Sequence, residues 1–213
     1  MSQAFDESVR IPVDGIELEG NLAVPEGWAG LVIFAHGSGS SRKSPRNNFV
    51  AEVIRERNLG TLLFDLLTEE EDQVRENRFD ITLLTERLIG ATRWVRENDR
   101  TPDASIGYFG SSTGAAAALR AAAQLDDQIS AVVSRGGRVD LAADVLSEVQ
   151  AATLFIVGGA DTEVLALNRD AFEQLPGQKD LHVVPDAGHL FEGEGELDEV
   201  ADVAASWFAN TLR

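Results

Sequence analysis

The sequence predicts an α/β fold: a mostly parallel sheet covered by helices on both faces, in one domain over residues 1–213. Two observations carry this. Short apolar runs alternate along the chain with stretches whose apolar residues recur every three or four positions, the patterns of buried strands and amphipathic helices. No Pro/Gly/Ser-rich linker and no repeat divides the 213 residues, a length that one core can hold.

The first two strands, Val9 to Val13 and Ile16 to Val24, alternate around Asp14-Gly15. Asp-Gly tolerates the left-handed backbone of a two-residue hairpin turn, so the chain opens as an antiparallel ribbon. Leu31-Val32-Ile33-Phe34-Ala35 then runs apolar into His36-Gly37-Ser38-Gly39-Ser40-Ser41, as a strand buried on both faces does when it ends in a turn. The same pattern marks Thr61 to Asp65, Ser105 to Phe109, Ile129 to Val133, Thr153 to Val157 and Leu181 to Val184. Helical spacing covers Asn48 to Arg57, Asp80 to Arg96, Gly114 to Gln124, Leu141 to Val149, Val164 to Leu175 and Leu197 to Leu212. Strands joined through helices in this way run parallel. Only about twenty residues with one short helix separate the Ile129 and Thr153 strands, too few for a lid domain. Leu67 to Asp80 is the least regular stretch, acidic at Glu69-Glu70-Glu71-Asp72 and basic at Arg75 and Arg78. It reads as a solvated loop with local ion pairs or as partial cover for a site.

Thirty-six acidic residues stand against 18 basic ones, of which only Lys43 and Lys179 are lysines, for a net charge of −18. That charge argues against nucleic acid as a partner, because phosphate backbones are bound by clustered Lys and Arg. An acidic surface either keeps the protein soluble or adapts it to a salty cytoplasm, where screening removes its self-repulsion. The chain has no cysteine, which excludes disulfides, thiolate zinc sites and a cysteine nucleophile. No cluster suggests a metal or an organic cofactor, so none is expected. No apolar run reaches the roughly 18 to 20 residues of a membrane span, so no membrane partner is expected either. Met1-Ser2-Gln3-Ala4-Phe5-Asp6-Glu7 lacks the basic and apolar regions of a secretion signal, which makes the cytoplasm the expected compartment.

The segment with the most chemistry is Tyr108-Phe109-Gly110-Ser111-Ser112-Thr113-Gly114-Ala115-Ala116, a Gly-x-Ser-x-Gly pattern set between a buried strand and an alanine-rich helix. Such a strand-to-helix turn holds its serine in strained geometry above the sheet, and only small neighbours, here Gly110 and Gly114, avoid a clash. Ser112 is therefore the candidate nucleophile, and the Thr113 N–H a candidate oxyanion donor at the helix N-terminus. A serine needs a base within hydrogen-bond reach, and the chain offers three histidines. His182 lies within a strand and reads as structural. His36 ends a strand in a His-Gly turn, which suits the shaping of an oxyanion loop better than a base. His189 lies in the loop Pro185-Asp186-Ala187-Gly188-His189-Leu190-Phe191 after the last strand and is the candidate base. Asp161 follows Ile156-Val157-Gly158-Gly159-Ala160 after the preceding strand, either as the acid that orients His189 or as the N-cap of the Val164 helix. The Ser38 N–H is the chosen second oxyanion donor, with Gly37 as runner-up.

Phe34-Ala35-His36-Gly37-Ser38-Gly39-Ser40-Ser41-Arg42, Phe109-Gly110-Ser111-Ser112-Thr113-Gly114-Ala115-Ala116, Val133-Ser134-Arg135-Gly136-Gly137 and Gly188-His189-Leu190-Phe191 together resemble the dienelactone hydrolase-related branch of the α/β-hydrolases. The order Ser112, Asp161, His189 is that superfamily's order. The resemblance spans nearly the whole chain and implies an eight-stranded sheet with one antiparallel strand and an open, lidless site. Dienelactone hydrolases proper carry cysteine at the elbow; this chain carries Ser112.

The expected chemistry is acyl transfer on a small-molecule ester, with Ser112 attacking the carbonyl, His189 taking its proton and Asp161 holding the imidazole. A thioesterase, a lactonase, a peptidase or a catalytically silent binding module on the same fold are the competing readings. Arg42, Arg46, Arg78, Arg135 and Arg138 fall near the site in sequence. Of these, Arg42 and Arg135 are candidates to grip an anionic substrate, unless ion pairs with acids such as Asp65 and Asp140 occupy them.

Overall fold

A computed structural model describes residues 4–101 and 103–212. Residues 1–3, the start of the stretch read above for a secretion signal, lie outside the described residues. Eight strands are formed: β1 Phe5–Val13, β2 Ile16–Val24, β3 Leu31–Ala35, β4 Gly60–Phe64, β5 Ile106–Ser111, β6 Ile129–Arg135, β7 Ala152–Gly158 and β8 Lys179–Val184. They make one sheet in the order β1-β2-β4-β3-β5-β6-β7-β8. The hairpin forms where Asp14-Gly15 predicts it, with Val13 opposite Ile16 and φ of 48° at Asp14 and 85° at Gly15. β2 runs antiparallel to both β1 and β4, and every pairing from β4 to β8 is parallel. One strand thus opposes the rest, as the family resemblance implies.

The helices are α1 Pro45–Glu56, α2 Glu69–Asp72, α3 Ile81–Glu97, α4 Thr113–Leu125, α5 Thr162–Gln174 and α6 Glu196–Thr211. α1 and α6 cover one face through Val50, Ile54, Val200, Ala204 and Phe208, packed on Phe34, Phe109 and Val133. α3 and α4 cover the other through Leu84, Leu88, Ala116, Ala117 and Leu119. β3 and β5 are buried along their whole length, which is why they read as unbroken apolar runs. Ala115 to Ala118 are fully buried, and their small side chains let α4 lie close against the sheet. Among the described residues, no helix is long and apolar enough to cross a membrane.

One expected helix does not form. Leu141 to Val149 folds instead as two 3-10 turns, Val139–Ala142 and Leu146–Glu148. Its apolar spacing is real, since Val139, Ala142, Leu146 and Val149 are all buried. The Arg120 Nε–H, however, donates to the Leu141 carbonyl at 3.0 Å, and the Val145 N–H turns to Ala142 O instead, so the α-helical ladder is broken at its start.

The stretch from Leu67 to Asp80 is also more ordered than a loop. Thr68 and Glu71 close a capping box around α2, and Arg75–Phe79 forms a 3-10 turn. Arg78 pairs with Asp72 and Arg87 with Glu71. Leu67, Asp72 and Arg78 also border the His36-Gly37-Ser38-Gly39 turn, so the segment both carries local ion pairs and flanks the candidate site.

Candidate active site

Five parallel strands, β3 and β5 to β8, present their C-terminal ends along one edge, and the predicted site residues follow those ends. Ser112 sits between β5 and α4 at φ 50° and ψ −118°. Its N–H donates to Arg135 O at 3.2 Å, while its own carbonyl accepts from the Ala115 and Arg138 N–H groups, both at 3.1 Å. The turn needs glycine on both sides. A Cβ on Gly110 would stand 2.5 Å from Ala115 Cα, and one on Gly114 would stand 2.1 Å from Ala35 O. The elbow predicted from the Gly-x-Ser-x-Gly pattern is formed.

Asp161 and His189 come from the loops after β7 and β8. Those loops are tied by the Gly159 N–H to Val184 O at 2.8 Å and the Ala160 N–H to Ala187 O at 3.0 Å. Asp161 Oδ2 accepts from His189 Nδ1 at 2.7 Å. The sequence left two uses for Asp161, and the geometry separates them: it precedes α5 as the N-cap residue, but its side chain makes no cap hydrogen bond. Gly136, directly after β6, packs on the imidazole, with the Cβ it lacks falling 3.3 Å from His189 Cε1. The chain from Arg135 to Gly136 therefore touches Ser112 on one side and His189 on the other. Among the described residues, no hydrogen bond joins the Ser112 hydroxyl to the ring.

Gly37, in the turn after β3, packs against Ser112, its absent Cβ falling 3.1 Å from Ser112 Cβ. The Ser38 N–H donates to Thr113 Oγ1 at 3.1 Å. The Thr113 N–H meets no acceptor among the described residues, as the first turn of a helix leaves it free. His36 anchors this turn, the shaping use that its place in a His-Gly turn suggested. Its Nε2 accepts from the Leu66 N–H at 3.0 Å and its Nδ1 contacts Gly37 O at 3.0 Å. This pattern fits the neutral ring with its proton on Nδ1, and burial pushes the His36 pKa below its ordinary value. Both nitrogens are occupied, so His36 is not placed as a base. His182 lies elsewhere, paired with Glu199 of α6 at 2.6 Å.

The arginines divide. Arg42 is clamped by Asp65 and Glu19, and its N–H donates to Asp65 Oδ1 at 2.7 Å. This departs from the expectation that Arg42 grips substrate: two carboxylates, Glu19 of β2 and Asp65 just after β4, hold its guanidinium. Beside it lies a cavity of about 370 Å³ lined by Glu17, Lys43, Asp65 and Thr68 but by neither Ser112 nor His189. Arg46 pairs with Glu192 and Arg138 with Asp140. Arg135 is the exception: it is half-buried, and its buried Nη1 has no hydrogen-bond partner among the described residues.

No protein-family model matches the chain. Two curated proteins named "Putative phosphoribosyl transferase", from two strains of Mycobacterium tuberculosis, are 53% identical over 207 residues, 97% of this chain. The chain spans 47% of their length, about half. Among solved structures, a dienelactone hydrolase from Anabaena variabilis is 52% identical, covers 99% of this chain and 100% of its own, and superposes with a TM-score of 0.97. Est1E from Butyrivibrio proteoclasticus, at 16% identity, shares the fold with a TM-score of 0.81 over 95% of this chain and 98% of its own.

Proposed function

From a chain that belongs to the dienelactone hydrolase-related branch of the α/β-hydrolases, we propose a serine hydrolase that cleaves carboxylic esters of small molecules through an acyl-enzyme on Ser112. One observation carries the reading: a serine at φ 50° on a strand-to-helix elbow shares a sheet edge with an Asp161–His189 pair 2.7 Å apart. Asp161 fixes Nδ1 as the protonated nitrogen, which leaves Nε2 to accept the Ser112 hydroxyl proton. Ser112 Oγ bonds to the ester carbonyl carbon, and the carbonyl electrons move to oxygen. The imidazolium then gives its proton to the departing alkoxide. Water, deprotonated by the same nitrogen, releases the acid and restores Ser112. The Thr113 N–H, free in the resting protein, stabilises the oxyanion. The Ser38 N–H joins it when the carbonyl oxygen displaces Thr113 Oγ1 as acceptor. The hydrogen bond from Ser112 to His189 closes on substrate binding, as is common for sites that are long-ranged when empty.

The name carried by the curated relatives describes proteins about twice as long as this chain. The elbow and the Asp–His pair favour the hydrolase reading for the part matched here. Thioester, lactone and amide bonds would use the same machinery.

A fluorophosphonate probe tests the proposal, read by intact mass on wild type, Ser112→Ala and His182→Ala. The expected result is one covalent adduct on wild type and on His182→Ala and none on Ser112→Ala, with turnover of an aryl acetate reduced by a factor on the order of 10⁵ in Ser112→Ala. A folded wild-type protein that takes no label leaves the silent binding module as the reading.

A further inference from the structure

We propose that Asn168 of α5 is a positioning residue for the nucleophile: through the Gly137–Arg138 peptide it holds the backbone of Ser112 in the strained conformation that presents the hydroxyl to His189. The proposal rests on the serine hydrolase reading and names a side chain on which that machinery depends.

The observation is a buried amide whose two donors both go to carbonyls. Asn168 is fully buried. Its Nδ2 donates to Val164 O of its own helix at 2.8 Å and to Gly137 O, in the loop after β6, at 2.9 Å. Turning the amide over would set its oxygen against both carbonyls, so these partners fix its orientation. The cost is Oδ1, which is buried without a hydrogen-bond partner. A leucine would serve core packing as well; what the amide adds is the bond that leaves α5 for Gly137.

That bond acts on Ser112. Gly137 O belongs to the peptide group whose N–H, on Arg138, donates to Ser112 O at 3.1 Å. The C=O and N–H of a trans peptide point to opposite sides, so Asn168 and Ser112 grip the two ends of one rigid plane. A second peptide of the same loop grips Ser112 from its other end. Arg135 O accepts from the Ser112 N–H at 3.2 Å, and the Gly136 N–H beside it donates to Ile156 O of β7 at 2.8 Å. The loop is tight, since a Cβ on Gly137 would lie 2.0 Å from Ser134 Oγ and 2.8 Å from Ala115 Cβ. Gly136, one residue earlier, packs on His189. Asn168 itself lies on the helix that Asp161 precedes. One side chain therefore ties the helix behind the acid to the loop that touches both nucleophile and base. Where that loop holds the serine backbone sets how closely Ser112 can approach His189.

Two variants and a control test this. Asn168→Leu keeps the approximate volume and removes both donors, and Asn168→Asp keeps the shape. Ile11→Val, in β1 at the far edge of the sheet, loses stability without touching the loop. Well below every melting midpoint, kcat for phenyl acetate and the rate of fluorophosphonate labelling fall about tenfold or more in Asn168→Leu, with KM within about twofold of wild type. Neither changes in Ile11→Val. In Asn168→Asp a carboxylate would face two carbonyls; only the protonated acid can donate to one of them, and burial favours that neutral form. Its kcat relative to wild type therefore rises as the pH is lowered from about 8 to about 6, whereas the ratio for Asn168→Leu stays level. A side chain that only stabilises the fold gives neither a loss of kcat at constant KM nor a ratio that moves with pH. Wild-type labelling and turnover in Asn168→Leu overturn the proposal, as does an effect on KM without one on kcat, or a level ratio for Asn168→Asp. Should Asn168→Leu not fold, the Asn168→Asp ratio decides. A folded wild type that takes no label ends the hydrolase reading and the role of Asn168 together; a labelled wild type beside an unaffected Asn168→Leu ends the role of Asn168 alone.

Discussion

At Ser112 a residue with a side chain is held at φ 50° and ψ −118°, a conformation that costs on the order of 1 to 3 kcal/mol. Contacts from Gly37, Arg135 O and the Arg138 N–H hold it there. His36 fixes the facing turn by a different means, a neutral imidazole bonded at both nitrogens. Its pKa is lowered by burial, so the native state binds fewer protons than the unfolded chain once the pH drops below about 6.5, the ordinary histidine value. Its stabilising contribution is therefore complete above that pH and is lost as the pH falls towards the native pKa, at no more than about 1.4 kcal/mol per pH unit. Between pH 7 and 5 the melting midpoint of wild type should drop more steeply than that of His36→Gln. Parallel pH profiles would assign the turn's stability to other contacts.

Between residue and fold, the elbow is a joint between β5 and α4 that depends on close approach. A Cβ on Gly114 would lie 2.1 Å from Ala35 O and 2.6 Å from His36 O, atoms of the backbone that cannot yield without moving β3. Gly114→Ala should lower stability by at least about 1 to 3 kcal/mol, measured by urea unfolding, and should reduce turnover further by shifting the Thr113 N–H. Full activity at wild-type stability would show that α4 can slide. The same scale shows where periodicity misleads. Leu141 to Val149 has helical spacing and buried apolar residues, yet Arg120 takes the Leu141 carbonyl and two 3-10 turns result. Local pattern reports which residues are buried; the donor from α4 decides how the backbone between them closes.

Across the whole molecule the dominant quantity is the net charge of −18. Salt weakens exposed ion pairs such as Arg10–Glu17, each worth about 0 to 1 kcal/mol. It also screens the repulsion among the excess acids, as the Debye length shrinks from about 10 Å at 0.1 M to about 3 Å at 1 M. With twice as many acids as bases, repulsion outweighs the attraction within surface pairs, and the unfolding midpoint should rise between low salt and 1 M KCl. A flat profile would mean that the acids are spaced widely enough not to feel one another.

The sequence by itself determined the strands, five of the six helices it predicted, the elbow around Ser112 and the chain order of Ser112, Asp161 and His189. These depend on local pattern: apolar runs, helical spacing, and glycines where a backbone must pass close by. Only the tertiary structure decided the use of side chains with more than one local option. Asp161 could cap a helix or orient a histidine, and the loop after β8 brought His189 within 2.7 Å of it. Arg42 and Arg135 looked alike in sequence, each next to a glycine-rich turn. Folding set Asp65 and Glu19 beside Arg42 and left the half-buried Arg135 without an ion pair among the described residues, because a charge finds its partner in space and not along the chain.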